Sequence, residues 1–371
     1  MNKAAPAPSD SAVAPTLLLA GHDTLQCAYY LRKGANSPFD FAALLAEREA
    51  LRSSGSRDPG VISVGGAEFL LHRYGSISGY PLVLTGPDYK IECGEFNRPS
   101  FYVTYRSEAL WRRSAAELQA QFLDWAERAE LVQYRPEVVS RVDWAFDYHL
   151  PAVDFDENHV VSLSAKDSKH RENRCTQTLM FGRDEIAVRI YDKVAEIHQK
   201  SHKTWLFGLW EGLCQDVWRI EWQVRGALLK QFGIRTLQDL LDRQGDVLRY
   251  LATDHTTLRI PSGDTNRSRW ALHPLWQDLQ RQIQDFRFVG ARRTDDLSSS
   301  LDERLTRCML SVYGYLKRIA AIRAMQQGRA DVIGLPFLLP DLRDLLRQIH
   351  DPLAWDCDVR KRIDQMRLGP W

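Results

Sequence analysis

Three segments in the middle of the chain alternate strictly between apolar and polar residues. They are residues 141–149, 185–193 and 217–225. Because successive side chains of a β-strand point to opposite faces, each segment predicts a strand with one apolar and one polar face. If the three strands share a sheet, their apolar faces pack on helices and their polar faces form one common surface. No other feature of the sequence limits the fold as strongly.

The common polar surface would bring together acids, cations and one tyrosine. Its members are Asp143, Asp147, Glu221, Tyr191, Arg189, Lys193, Arg219 and Arg225. Antiparallel sheets often have a solvated face, and for any single residue this ordinary position is the simpler interpretation. The set as a whole favours function, because phosphodiester transfer needs a nucleophile, a metal that polarises the phosphate and cations that offset the developing charge.

The flanking segments predict the rest of an α+β fold. Short β-like runs and turns, such as Gly86-Pro87-Asp88, extend from about residue 16 to residue 106. Ser114 and Glu117 form a capping box at the start of a helix, and apolar residues recur at helical spacing beyond about residue 236. The sequence shows no internal repeat. We predict a mostly antiparallel sheet with helices on one face, followed by a helical C-terminal region.

Three domains follow from these patterns. Residues 1–15 are rich in Ala, Pro and Ser and are predicted to be a disordered leader, residues 16–235 an α+β domain, and residues 236–371 a mainly helical region. The chain is 44% hydrophobic and 26% charged, which is typical of a globular protein. No apolar run reaches the roughly 18 residues of a membrane span. Six widely spaced cysteines without a C-x-x-C pair predict reduced thiols and a cytoplasmic location.

Basic residues outside the three strands are candidates for nucleic-acid contacts. The net charge is only +1, so a binding surface must come from local segregation of charge. The segment 164–174 has an excess of cations, and the segment 265–270 mixes cations with an aromatic residue. A solvated linker is the ordinary alternative for the first segment, while Trp276, near the second, is predicted to be core. The predicted DNA-binding residues are Lys166, Lys169, Arg171, Arg174, Arg267 and Arg269, together with Arg219 and Arg225 of the strands.

The three strand segments resemble the replication initiation factor family of rolling-circle plasmids and filamentous phages, known as the Rep-trans type. The resemblance is carried by Arg141-Val142-Asp143-Trp144-Ala145-Phe146-Asp147, Val188-Arg189-Ile190-Tyr191-Asp192-Lys193 and Trp218-Arg219-Ile220-Glu221-Trp222-Gln223-Val224-Arg225. The Arg-Ile-Tyr-Asp-Lys stretch is the most specific part. The resemblance covers roughly residues 80–260.

The resemblance implies a site-specific DNA endonuclease and strand transferase that initiates rolling-circle replication. In that family a tyrosine attacks one strand at the origin, stays joined to the 5′ phosphate and leaves a 3′-OH that primes synthesis. Carried over to this sequence, Tyr191 would be the nucleophile, with Lys193 and Arg189 beside the scissile phosphate. Asp143, Asp147 and Glu221 would bind a divalent cation.

The predicted metal site is a carboxylate site. None of the ten histidines forms a His-hydrophobic-His motif, and carboxylates suit Mg²⁺ or Mn²⁺. Asp143 and Asp147 are four residues apart, about 13 Å along a strand, so both reach one ion only if a bulge intervenes. Without a bulge, one of the two aspartates would bind metal with Glu221, and the other would pair with Arg219 or Arg225.

DNA is the partner that these predictions require. A separate host helicase is expected, because the sequence lacks a nucleotide-binding glycine loop. A homodimer is an assembly that the sequence leaves open. Two other functions also stay open: a relaxase that mobilises an integrative element by the same chemistry, and a DNA-binding regulator without catalysis.

Overall fold

The computed structural model of the chain describes residues 14–55, 58–164, 167–172, 175–291, 297–328 and 331–368. The chain divides into two compact units, residues 1–294 and residues 295–371. No helix in the described ranges is long and apolar enough to cross a membrane.

The first unit is built on a large antiparallel sheet. Within the described residues it has 11 strands in the order β2-β3-β4-β5-β6-β1-β7-β12-β11-β10-β9, and β8 and β13 form a separate pair. The strands are β1 (Thr16–Lys33), β2 (Gly60–Val64), β3 (Ala67–Leu71), β4 (Leu82–Thr85), β5 (Tyr89–Cys93), β6 (Phe101–Tyr105), β7 (Leu131–His149), β8 (Val160–Ser162), β9 (Asp167–Glu172), β10 (Cys175–Gly182), β11 (Ile186–Asp192), β12 (Val217–Arg225) and β13 (Thr256–Leu258).

Helices precede, connect and follow these strands. In the first unit they are α1 (Phe41–Ser53), α2 (Ser107–Arg112), α3 (Ala115–Arg128), α4 (Lys193–Glu196), α5 (Leu206–Leu209), α6 (Gly226–Gln231), α7 (Leu237–Tyr250) and α8 (Pro274–Ile283). The second unit is helical and contains α9 (Leu297–Gln326), α10 (Leu335–Ile349) and α11 (Pro352–Leu368). The predicted α+β fold with C-terminal helices is confirmed.

The three alternating segments are neighbours in one sheet, as predicted. β7, β12 and β11 are adjacent in that order. In the register, Arg219 lies opposite both Asp147 and Tyr191, while Glu221 lies opposite Arg189. Since directly opposed residues of neighbouring strands share a face, the polar side chains of all three strands lie on one common face.

The apolar faces of these strands form the core. Trp144, Phe146 and Trp222 have no exposed surface, and the Trp222 ring lies 5.7 Å from the ring of Trp276 in α8. The prediction that Trp276 is core is thus confirmed. Burial of side chains this large stabilises the fold by about 1.5–3 kcal/mol each, which fixes the strands that carry the polar face.

Helix α3 begins at the predicted capping box. The Ser114 hydroxyl accepts a hydrogen bond from the Glu117 amide, and the Glu117 carboxylate accepts one from the Ser114 amide. The buried stripe behind this cap, with Leu118, Phe122 and Trp125, packs in the core. The sequence signal and the observed start of the helix therefore coincide.

The two halves of the sheet repeat one topology. β1 and β7 pair antiparallel at the centre, and each is followed outward by a run of strands, β6-β5-β4-β3 with β2 beyond them on one side and β12-β11-β10-β9 on the other. In both halves, the strand next to the central pair is followed in sequence by a short helix and a longer capped helix. These are α2 and α3 after β6, and α6 and α7 after β12. We call β1–β6 with α1–α3 the first half, and β7 and β9–β12 with α6 and α7 the second half.

Candidate active site

The polar face of the second half is buried rather than open to solvent. Asp147 and Arg219 have no exposed surface, and Asp143 and Glu221 are buried. The solvated position that is ordinary for single polar residues of a sheet is therefore not found for these four. The chain after β11 folds back and forms its own apolar cluster, which includes Ile197, Leu206 and Trp210. This segment and the short helix α2 cover the end of the face where Asp147 lies.

Tyr191 and Glu221 are directly hydrogen bonded at the centre of this face. The Tyr191 hydroxyl donates to Glu221 Oε2 at 2.7 Å. Arg189 Nη1 donates to the other carboxylate oxygen, Oε1, also at 2.7 Å, and Arg189 Nη2 donates to Gln223 Oε1 at 3.2 Å. Burial, and then the negative charge of Glu221, raise the pKa of Tyr191 well above its usual value of 10. The hydroxyl therefore keeps its proton and points it at a carboxylate.

Lys193 lies next to the tyrosine at the start of α4. Its Nζ is 5.5 Å from the centre of the Tyr191 ring and donates to Glu196 Oε2 at 2.6 Å. Burial, and then the nearby charge of Arg219, lower the pKa of Lys193. Arg189 and Lys193, the two cations predicted beside the nucleophile, are thus brought close to it.

A buried charge cluster lies beside this pair. Arg219 donates from Nε and Nη2 to the two carboxylate oxygens of Asp147, at 2.6 and 2.8 Å, and from Nη1 to Asp23 Oδ1 at 2.7 Å. Trp210 Nε1 also donates to Asp147, at 3.0 Å. Burial disfavours the charge of Arg219, but Asp147 and Asp23 raise its pKa well above the usual value. The predicted pairing of one aspartate with Arg219 is therefore found at Asp147.

Asp23 is the member of this cluster that the sequence reasoning missed. It lies in β1, where the register shifts between His22 and Thr24. It also accepts hydrogen bonds from Ser107 at 2.8 Å and Trp111 at 3.1 Å. Burial favours its neutral form, but Arg219 and then Lys203 hold the pKa of Asp23 far below its usual range. The signal that could have revealed it is an acid inside an apolar strand.

Arg219 does not fit the predicted contact with DNA. Its guanidinium is fully buried and bonded to Asp147 and Asp23. A phosphate could reach it only if these bonds broke and the covering segment moved. Arg219 therefore holds the strands together around the site.

The three predicted metal ligands each have an arginine or tyrosine partner. Asp143 binds Arg141, through Nε at 2.8 Å and Nη2 at 2.5 Å, and burial raises the pKa of Asp143 to about 6 despite this partner. Asp147 binds Arg219, and Glu221 binds Tyr191 and Arg189. Within the described ranges no three His, Cys, Asp or Glu side chains are grouped as a metal site needs. This arrangement does not fit a resident metal held by the three carboxylates, and metal binding stays a prediction.

The other predicted DNA-binding residues that the structure describes lie on several elements of the first unit. Arg225 is exposed at the end of β12. Arg269 is exposed, 3.7 Å from Asp264, whereas Arg267 donates to the backbone carbonyls of Asn158 and Val160. Two further residues, Lys169 and Arg171, lie in strand β9. Lys166 and Arg174 lie outside the described residues.

Comparisons with known proteins relate the middle of the chain to replication proteins. Residues 104–242 match a phage family model that describes the N-terminal part of a replication-associated protein. A solved structure of the rolling-circle replication initiator protein from Geobacillus stearothermophilus is similar with 19% identity and a TM-score of 0.43, over 75% of this chain and 99% of that chain. No curated protein matches the sequence. The family match contains all three strand segments, so residues 104–242 are similar to phage replication-associated proteins.

Proposed function

We propose that the chain initiates rolling-circle replication by nicking one strand of origin DNA through Tyr191. The observation that carries this proposal is the 2.7 Å hydrogen bond from the Tyr191 hydroxyl to Glu221. A tyrosine is a weak nucleophile until a base takes its proton, and a carboxylate within hydrogen-bond reach is a suitable acceptor. Tyr191 on β11 would supply the nucleophile, and Glu221 on the neighbouring strand β12 would supply the base.

The proposed reaction is a transesterification. Tyr191 Oη forms a bond to the phosphorus of the scissile phosphodiester while its proton passes to Glu221. The bond between phosphorus and the 3′ oxygen breaks, water protonates that oxygen to a free 3′-OH, and the proton held by Glu221 then passes to the hydroxide left by that water. The products are a 5′-phosphotyrosine and a primer end, so neither an oxidant nor an external energy source is needed.

Arg189 is the side chain of the site that incoming DNA would contact first. Its side chain is 32% exposed, whereas its partner Glu221 is buried. An incoming phosphate would attract this guanidinium, because arginine binds phosphate oxygens in the same bidentate way as a carboxylate. Once Arg189 moves to the phosphate, Oε1 of Glu221 loses its cation while Oε2 keeps the hydrogen bond from Tyr191.

Dependence on Mg²⁺ or Mn²⁺ is a separate part of the proposal, supported by the family resemblance. Of the three predicted ligands, Glu221 lies nearest to the nucleophile. Asp147 is the least suited, since both of its oxygens accept hydrogen bonds from Arg219. A host helicase and a homodimer likewise stay predictions.

Formation of a covalent complex between the protein and supercoiled origin DNA in Mn²⁺ tests the proposal. Wild-type protein should give nicked circles joined to protein, and Tyr191→Phe should abolish the adduct while DNA binding remains. Tyr134→Phe is a matched control, since it removes a partly exposed hydroxyl from β7, and it should nick like wild type.

Replacement of Glu221 separates its role as a base from a purely structural role. Glu221→Gln keeps the shape of the side chain and its ability to accept from Tyr191, but it cannot take the proton. We expect loss of most of the nicking rate in a protein that stays folded. Nicking close to the wild-type rate would refute the role of Glu221. Origin binding without any adduct in the wild type would identify the chain as a non-catalytic regulator instead.

A further inference from the structure

A groove of about 1180 Å³ lies on the sheet of the first half. Its lining includes four tyrosines: Tyr30 of β1, Tyr102 of β6, and Tyr74 and Tyr80 of the segment between β3 and β4. The rings of Tyr80 and Tyr102 lie 6.3 Å apart, and Tyr74 is 55% exposed. Tyr74 is therefore exposed in the groove, Tyr30 and Tyr102 are half-buried, and Tyr80 is buried.

The groove lies on the same face of the sheet as Tyr191. In the central β1–β7 pair, Thr24 lies opposite Asp143, and Gln26, which lines the groove, lies opposite Arg141. The Tyr102 hydroxyl donates to Gln26 at 2.9 Å, and Arg141 binds Asp143. Polar side chains thus lead from the groove to the candidate active site without a change of face.

The position of the groove follows from the repeated topology. It lies over β1, β6 and β5, which correspond in the first half to β7, β12 and β11, the strands that carry the active site in the second half. From Tyr191 to Tyr102 is four strand spacings across and nine residues along, a separation of roughly 35 Å. A single strand of several nucleotides can cover this distance.

The chemistry of the groove suits nucleotides. The Arg73 guanidinium lies 4.7 Å from the Tyr74 ring centre, and that of Arg135 lies 4.5 Å from the Tyr30 ring centre. Of the described residues that line the groove, one, Glu92, is acidic, and Lys90 binds it at 2.5 Å. Tyrosine faces combined with cations are the usual means of binding single-stranded nucleic acid without sequence preference.

We propose that this tyrosine-lined groove binds single-stranded DNA that continues from the scissile phosphate along the same face of the sheet, with bases stacked on Tyr74, Tyr30 and Tyr102. The proposal rests on the proposed function, because nicking is what would supply the single strand. Binding of a single strand to the groove itself needs no nicking. A peptide is a less suitable occupant, because peptides that extend a sheet bind at an edge strand. The groove covers the face of inner strands, and the edges of the sheet are β2 and β9.

Fluorescence anisotropy of a labelled oligonucleotide of about 20 thymidines tests the groove. EDTA and the absence of an origin sequence prevent nicking from contributing. Tyr74→Ala should raise the Kd by about fivefold or more, the effect expected for the loss of one stacked base. The matched control is Phe288→Ala, which removes another exposed ring (52%) that also has an arginine stacked on it, Arg249 at 4.2 Å.

The outcomes separate this proposal from the proposed function. A selective loss of single-strand binding in Tyr74→Ala, with Phe288→Ala unchanged and circular dichroism spectra intact, supports the groove. An unchanged Kd, or an equal loss for duplex and single strand, overturns it. If Tyr74→Ala binds normally while wild type still forms the tyrosine adduct, the groove proposal fails and the proposed function stands. If wild type neither binds single strands nor forms the adduct, both fail.

Discussion

Replacing Arg219 with methionine should destabilise the first unit strongly. The guanidinium has no exposed surface and makes three hydrogen bonds of 2.6 to 2.8 Å to Asp147 and Asp23. Methionine fills a similar volume but leaves two carboxylates buried without their cation. Removal of one partner of a buried ion pair costs about 3–5 kcal/mol, and here two acids are affected, so we expect the upper part of that range. That loss is a large fraction of the roughly 5–15 kcal/mol that typically stabilises a domain.

Urea unfolding followed by circular dichroism measures this loss. Arg225→Met is the matched control, because this arginine lies on the same strand but is exposed, and its free energy of unfolding should change by no more than about 0.5 kcal/mol. The triple variant Arg219→Met, Asp147→Asn, Asp23→Asn should recover most of the stability, since it removes the buried charges together. A loss below about 1 kcal/mol in Arg219→Met alone would show that the buried ion pairs do not stabilise the unit and would reopen a direct contact of Arg219 with DNA.

Two further predictions concern the stability of the fold. Ser114→Ala removes the capping box of α3 and should lower the free energy of unfolding by about 1 kcal/mol in urea titrations; no change would mean that the cap adds nothing in this context. Burial lowers the pKa of His22 from 6.5 to about 4. Between these pH values the unfolded chain protonates the ring while the folded protein keeps it neutral. The free energy of unfolding should therefore fall by at most about 3 kcal/mol as the pH is lowered from 6.5 to 4. His22→Gln should flatten this part of the stability-pH curve, and an unchanged slope would show that the fall has another source.

The strands of the site could be predicted because alternation is a local property. Trp144, Phe146 and Trp222 point into the core and Asp143, Asp147 and Glu221 point away from it, as the period of two requires. The adjacency of the strands in one sheet is not local, so alternation alone could give it only as a condition. The polar face of each strand was therefore predictable before any coordinates, whereas the common face depended on that condition.

The charge pairing of the site was not predictable in the same way. Asp23 joins the site where the register of β1 against β7 shifts, and a bulge of this kind redirects a side chain that strict alternation would place elsewhere. The cover over Asp147 comes from Trp210, which is 63 residues away in sequence. Such contacts depend on tertiary packing, which no local pattern reports.

The repeated topology of the sheet was also hidden in the sequence. The two halves share the order of their strands and capped helices, but not the side chains on the polar face. Tyr102 and Gln26 lie on this face in the first half, and Glu221 and Asp143 lie on it in the second. Buried faces tolerate many apolar residues of similar volume, so a common topology can persist without a recognisable sequence repeat.

The most direct test of the account is to identify the residue that becomes joined to DNA. Origin DNA should be nicked by wild-type protein in Mn²⁺, the adduct digested with protease and nuclease, and the nucleotide-bearing peptide sequenced by mass spectrometry. We expect one modified peptide, with the 5′ phosphate on Tyr191. A phosphate on another tyrosine, or nicked DNA without any covalent peptide, would contradict the assignment of Tyr191 as the nucleophile.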